Sequence, residues 1–207
     1  NDFEKYVDIF IPIKSNINRP KIEFMSLSPF KNTVYLDTDT FIVSDISDLF
    51  QLSSKIDLAA VYCHSRKRKL YSTKIPSYNK IPYSFSELNS GVIFFKKSKK
   101  IDSFFQLWKK NYYKYFLITN GWDQPSFRIA LWEANINIFP LPVEYNVRPK
   151  SIMKKINNNL TKLGINHMQP KIMHMHLKNK KKLNIKDPSE YNKKLSLYKK
   201  SSIVIVY

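Results

Sequence analysis

The sequence predicts an α/β domain built on a mixed, mostly parallel sheet flanked by helices. Three observations predict it. Short apolar runs of strand length alternate with amphipathic stretches of helical spacing. Hydrophobic residues make up 43% of the 207, with 14 Phe, 13 Tyr and 3 Trp, which is enough for a core and too many for a disordered chain. No apolar run approaches the roughly 20 residues of a membrane span.

The elements follow in order. The opening "NDFEKYVDIFIPIKS" is acidic and lacks the long apolar centre of a signal peptide; its "YVDIFIPI" reads as extended. "TVYL" reads as a buried strand ending at Asp37, with "FIV" extended beyond it. "SDISDLFQL" reads as a short helical turn capped by Ser44 or Asp45, and "IDLAAVYC" as a second buried strand. Residues 64–83 are polar, basic and proline-containing, and read as a loop. "SGVIFFKK" is a third strand entered through Asn89-Ser90-Gly91. A helix follows from Asp102, with Phe104, Leu107, Trp108, Tyr112, Tyr115 and Phe116 on one face and Lys109, Lys110 and Lys114 largely opposite. A second helix starts at Asp123, with Pro125 in its first turn. "INIFPLP" and "KIMHMH" read as later strands. Beyond Arg148 the chain turns Lys- and Asn-rich, with one amphipathic helix near Tyr191 to Tyr198. The reading is one domain over 1–207, with 150–207 a peripheral region.

The single cysteine, Cys63, excludes an internal disulfide framework and a cysteine zinc site, and fits a reducing, cytoplasmic setting. Lys plus Arg outnumber Asp plus Glu by 35 to 16, which suits an anionic partner. Only five of the 35 are Arg, however, and an AT-biased coding sequence gives the same Lys-, Asn- and Ile-rich balance without selection for binding.

Against that charge, the pair Asp37 and Asp39 at a strand end stands out. In an extended segment residues i and i+2 face the same way, so both carboxylates can converge on one cation. Ligands of open α/β sheets bind outside the carboxyl ends of strands. Hard carboxylate oxygens suit Mg²⁺ or Mn²⁺, and such an ion can hold a diphosphate. The plainer reading is a turn whose aspartates cap the next element. A phosphatase of the haloacid dehalogenase type using Asp37 is a third, but it expects Thr or Val where Phe41 stands, and Gly where Thr40 stands.

Downstream segments separate these readings. "YLDTDT…DLF", "LNSGVIFF", "GWDQP", "FPLPVEYN" and "KIMHMH" occur in that order. The set resembles the GT-A glycosyltransferases of family 8 and related nucleotide-diphospho-sugar transferases, over roughly Arg19 to His176. The resemblance implies that Asp37 and Asp39 bind Mn²⁺ (or Mg²⁺) bridging a donor diphosphate. It implies a third ligand from the late histidine, for which His174 is favoured and His176 is second. Asn89, Ser90 and Gly91 would contact the donor sugar. Asp123 and Gln124 would line the reaction centre, although Asp123 is also well placed as a helix N-cap. Arg19 and Lys21 match a basic position near the nucleotide or its phosphates.

The family's closing "G-x-x-K-P-W" is replaced by "LKNKKK", in which Lys178 or Lys180 can still reach a phosphate. The 36 residues before Asp37 are few for this fold, and "YVDIFIPI" matches its second strand, leaving the first nucleotide-binding strand without an equivalent here. An inactive form is compatible with that departure. The implied partners are a nucleotide-sugar, a UDP-sugar by preference, and a glycan, protein or lipid-linked acceptor, with anomeric configuration retained. A basic polyanion- or nucleic-acid-binding module explains the charge but leaves the ordered carboxylates without a purpose.

Overall fold

The computed structural model describes residues 7–11, 19–148, 163 and 169–174. Strands β1 (Asn32–Leu36), β3 (Leu58–Tyr62), β4 (Leu88–Lys96) and β5 (Ile138–Leu141) form a four-stranded sheet in the order β1-β4-β3-β5. β4 is antiparallel to both of its neighbours and β3 is parallel to β5, so three strands run one way and β4 runs against them. The expected mixed sheet is therefore present. A second, two-stranded sheet pairs β2 (Thr40–Ile42) with β6 (Ile172–His174).

Helices α4 (Lys99–Thr119) and α5 (Gln124–Glu133) cover one face of the main sheet. Leu58, Ala60, Ile93 and Phe95 meet Phe104, Phe105, Trp108, Tyr112 and Phe127 there, together with Ile22 of the short helix α1 (Lys21–Phe24). On the other face Ala59, Val61, Val92 and Phe94 pack with Leu49, Leu141, Tyr145 and Ile172. Leu58 to Val61 of β3 alternate between these two cores, which is why "LAAV" carries no polar residue, and Tyr62 at the strand end is exposed. α4 begins at Lys99, not Asp102, because the Ser98 hydroxyl accepts the Ile101 N–H and caps it.

β4 breaks its own alternation. It pairs Ile93 with Ala60 and Leu88 with Tyr62, so it spans five residues while β3 advances two. Leu88 lies in the helix-side core, whereas Val92 and Phe94, of the same parity, lie in the opposite one. A bulge of this kind re-aims side chains. Here it re-aims Asn89, Ser90 and Gly91.

Two expectations are corrected. Residues 64–83 are not merely loop: they carry α2 (Lys69–Lys74) and α3 (Pro76–Lys80), whose Tyr71, Ile75 and Tyr78 form a third core with Ile81, Tyr115 and Ile129. Their apolar residues were too few per turn to show a helical period. Residues 7–11 of "YVDIFIPI" form no strand. Beyond β5 the "VEYN" segment is a 3₁₀ turn, Val143–Asn146, in which Tyr145 N–H turns back to the Pro142 carbonyl. The predicted helix at 191–198 lies outside the described residues.

The third core is fastened by Arg128, a fully buried guanidinium on α5. It donates to the carbonyls of Phe85 (2.9 Å), Pro82 (2.9 Å), Tyr78 (3.3 Å) and Ile81 (3.4 Å), and stacks on the Tyr78 ring at 4.6 Å. Arg128→Met fills similar space but strands those carbonyls. It is expected to lower unfolding free energy by about 3–5 kcal/mol, read as a lower urea midpoint at unchanged slope.

Candidate active site

Asp37 follows β1 directly, and its N–H donates to the Gly91 carbonyl at 2.8 Å, extending the β1–β4 ladder by one rung. Thr40 closes the next turn: its N–H and hydroxyl both donate to the Asp37 carbonyl, at 3.0 and 2.7 Å. That turn sends the chain into β2, whose register pairs Thr40 with His174. Pairing of these two short strands therefore carries a residue from the far end of the described chain to the aspartate pair.

His174 is buried, with Nε2 3.1 Å from Asp39 Oδ1 and 3.8 Å from Asp37 Oδ2. Ligand atoms of Asp37, Asp39 and His174 all lie within 4.8 Å of one another. A hydrogen-bond chain behind the ring sets its tautomer. Gly91 N–H donates to Asn89 Oδ1 (3.0 Å), as does the Asn146 amide (2.7 Å). That leaves Asn146 Oδ1 to accept from His174 Nδ1, at 3.0 Å. A neutral ring then presents the Nε2 lone pair to two carboxylates, an arrangement favourable only with a proton or a cation among them. Two hard oxygens and one imidazole nitrogen fit a divalent ion such as Mn²⁺, and a histidine donating its other N–H is how metal sites orient such a ring.

Gly91 forms the floor. A Cβ built there would lie 2.2 Å from His174 Cε1 and 2.8 Å from Asp37 Oδ2. The absence of a side chain is what admits the histidine. The strand expected to be entered through Asn89–Gly91 starts before them: all three residues lie inside β4.

On the other side of Asp37 lies a buried ionic group. Lys21 Nζ reaches Asp37 Oδ1 at 3.0 Å, Asp123 Oδ2 at 3.2 Å and the Ser90 carbonyl at 3.0 Å. Ser90 Oγ donates to Asp123 Oδ2 at 2.6 Å, Arg19 Nε lies 3.6 Å from Asp123 Oδ1, and Tyr35 OH donates to Asp37 Oδ1 at 2.7 Å. Burial pulls the Lys21 pKa down, but the charges of Asp123 and Asp37 outweigh it and hold it above the ordinary value. Burial pushes the Asp123 carboxyl up, and Lys21 with Arg19 overcomes that and holds it below the ordinary value. Burial, then the Asp37 charge, raises Tyr35 well above an ordinary phenol.

Asp123 occupies the N-cap position of α5, yet its side chain makes no capping bond. The predicted cap is therefore wrong: the two cations and Ser90 claim the carboxylate. Gln124 is buried and donates to the Leu88 carbonyl, tying the helix start to the β4 entrance. His176 and Lys178 lie outside the described residues. Tyr35 and Asn146 were not singled out from sequence. Both belong to segments that the sequence marks, but nothing in "VYL" or "EYN" says which polar atom turns inward.

Since the Asp123 pKa is depressed by folding, its contribution to stability is present above the unfolded carboxyl range near pH 4 and fades as pH falls through the lower folded value. Asp123→Asn is expected to reduce stability at neutral pH and to flatten the acid limb of a stability–pH profile measured by urea unfolding.

No protein-family model matches the chain, and no curated protein matches it. Among solved structures the chain is similar to an active-site mutant of LgtC at 12% identity and TM-score 0.53, over 89% of this chain and 70% of that one. It is similar to the galactosyltransferase LgtC in complex with donor and acceptor sugar analogues at 14% identity and TM-score 0.52, over 100% of this chain and 73% of that one. Mouse xyloside xylosyltransferase 1, apo form, matches at 14% identity and TM-score 0.45, over 75% and 61%. Among the described residues no helix is long and apolar enough to cross a membrane.

Proposed function

We propose, for a chain whose fold is that of the GT-A glycosyltransferases, a metal-dependent transfer of a sugar from a nucleotide diphosphate to an acceptor hydroxyl. The observation that carries the reading is the convergence of Asp37, Asp39 and His174 within 4.8 Å at the strand ends. These three would hold Mn²⁺ or Mg²⁺, and a bound ion would neutralise charge on the diphosphate as the nucleotide departs. The donor is a UDP-sugar, the acceptor a glycan, protein or lipid-linked hydroxyl, and the anomeric configuration is retained.

The chain's own residues supply positioning and electrostatics. Lys21, already charged among two carboxylates, is the nearest side chain able to turn from Asp37 to a phosphate oxygen. Arg19, at the exposed rim, and Lys178 would add to the same anion. Asp123 is fixed as an anion by Lys21, Arg19 and Ser90, and from there would hold a sugar hydroxyl. Asn89 and Ser90 would face the sugar, with Gly91 giving close approach. Gln124 stiffens the wall at Leu88, and His176 is the second candidate for the third metal ligand. A single catalytic domain over 1–207 is part of the same proposal.

Calorimetric titration of UDP with Mn²⁺, then with EDTA, tests it. Saturable binding that chelation abolishes is the expected result. Binding that ignores chelator but collapses with added salt points instead to a polyanion site.

A further inference from the structure

We infer that the sugar handled at this site carries an anionic substituent, a carboxylate or a phosphate, gripped by an arginine cluster beside Asp123. The inference rests on the glycosyltransferase reading and names the substrate class within it. Three guanidinium groups converge on the end of β3. Arg68 Nη2 and Arg148 Nη1 each approach Cys63 Sγ to 3.8 Å, Arg148 Nη2 donates to the Tyr62 carbonyl at 3.1 Å, and Arg66 lies 4.8 Å over the Tyr62 ring. Cys63 N–H donates to the Glu87 carbonyl at 2.7 Å, so this end of β3 sits beside the entrance to Asn89.

Local carboxylates do not balance the cluster. Asp123 is engaged by Lys21 and Arg19, and Glu87, wholly buried, accepts the Tyr78 hydroxyl. Arg68 Nε and Glu87 Oε2 are both buried without a hydrogen-bond partner among the described residues and face each other as an ion pair at 3.9 Å, which sets one carboxylate against three guanidinium groups. The Arg68 plane also faces the Trp122 ring at 5.4 Å. Trp122 immediately precedes Asp123 and is 47% exposed, offering an aromatic face of sugar-ring size next to an arginine with hydrogen bonds to give.

Composition supports the same conclusion. Only five of the 35 basic residues are Arg, and four of them, Arg19, Arg66, Arg68 and Arg148, stand around this site. Where only positive charge is wanted this chain uses lysine. The planar fork of arginine is the better match to a carboxylate or phosphate. The diphosphate does not account for the cluster, because the aspartate pair, His174 and Lys21 already meet it at the end of β1. A purely structural role explains the Arg148 bond to Tyr62 and the Arg68–Glu87 ion pair, but not three guanidinium groups gathered on one carboxylate.

The test titrates the full chain with Mn²⁺ against UDP, UDP-glucose and UDP-glucuronate. With UDP present, it then titrates methyl glucoside, methyl glucuronide and glucose 6-phosphate. The expected result is a preference for the charged sugar of roughly tenfold or more in one arm. A preference among the nucleotide-sugars assigns the anionic group to the donor, and one among the monosaccharides assigns it to the acceptor. Arg68→Lys, which keeps the charge and loses the fork, should erase most of the preference while UDP affinity stays within about twofold. Arg68→Gln should erase it fully; if that variant fails to fold, Arg68→Lys decides alone. Equal affinity for charged and neutral sugars, or a preference that survives Arg68→Lys, overturns the inference while UDP binding stays intact. Absence of UDP binding to the wild-type chain with Mn²⁺ overturns the parent reading, and this inference with it.

Discussion

Alanine in place of Asp39 is expected to abolish metal-dependent UDP binding while the chain still folds. Asp39 lies in the turn between β1 and β2, and its carboxylate is about one-third exposed, with Oδ1 facing His174 Nε2 at 3.1 Å. Loss of a group one layer behind a metal ligand already lowers metal affinity 10–100-fold, so loss of a ligand from a set of three should exceed about 100-fold. Stability should move little, since partly exposed substitutions away from the core usually fall within about 0.5 kcal/mol. Calorimetry with Mn²⁺ and thermal melting of the same sample measure both quantities. Wild-type UDP affinity in Asp39→Ala, or affinity indifferent to EDTA, would remove the metal from the account.

Gly91→Ala is expected to damage fold and site together. Its Cβ would lie 2.2 Å from His174 Cε1, far inside the roughly 3.5 Å at which carbons rest. The ring cannot withdraw freely, because Nδ1 is held by Asn146 at 3.0 Å and the residue's N–H by the Val147 carbonyl at 2.8 Å. Nor can the strand, because the Gly91 carbonyl accepts the Asp37 N–H at 2.8 Å. Overpacking of this kind costs about 1–3 kcal/mol, and displacement of the ring should weaken metal-dependent binding at least tenfold. The double variant Gly91→Ala, His174→Ala separates the two effects. It should regain stability relative to Gly91→Ala, because the clash is gone, and should bind no better. A double variant no more stable than the single one would place the strain elsewhere.

Much of this was legible in the sequence because hydrophobic period and strand ends are local properties. "TVYL", "LAAVY" and "VIFF" declared their strands, but Asp37 and Asp39 approach one another across a turn closed by Thr40 and not through the i, i+2 spacing of an extended segment. The order of short motifs brought His174 into view. What failed did so for reasons that one-dimensional pattern does not carry. The helices at Lys69–Lys74 and Pro76–Lys80 are stabilised by packing of Tyr71, Ile75 and Tyr78 and by Arg128, contributed from some 50 residues away. The N-cap reading of Asp123 was sound as local chemistry, but a buried lysine at position 21 outbid a backbone N–H for the carboxylate. The role of Asn146 depended on a tautomer, which no spacing reveals.

The extra residues that β4 carries opposite Tyr62 have a consequence for how such a chain can change over time. From Val92 onward the strand is anchored by apolar side chains on both faces, so its register with β1 and β3 there is set without Asn89 or Ser90. A residue gained or lost at the bulge would be absorbed there, and the sheet beyond would not slide. It would swap which of these three faces His174 and which faces Lys21. The residues proposed to meet substrate and most of those that hold the sheet register thus occupy successive stretches of one strand, and Gly91 is where the two meet.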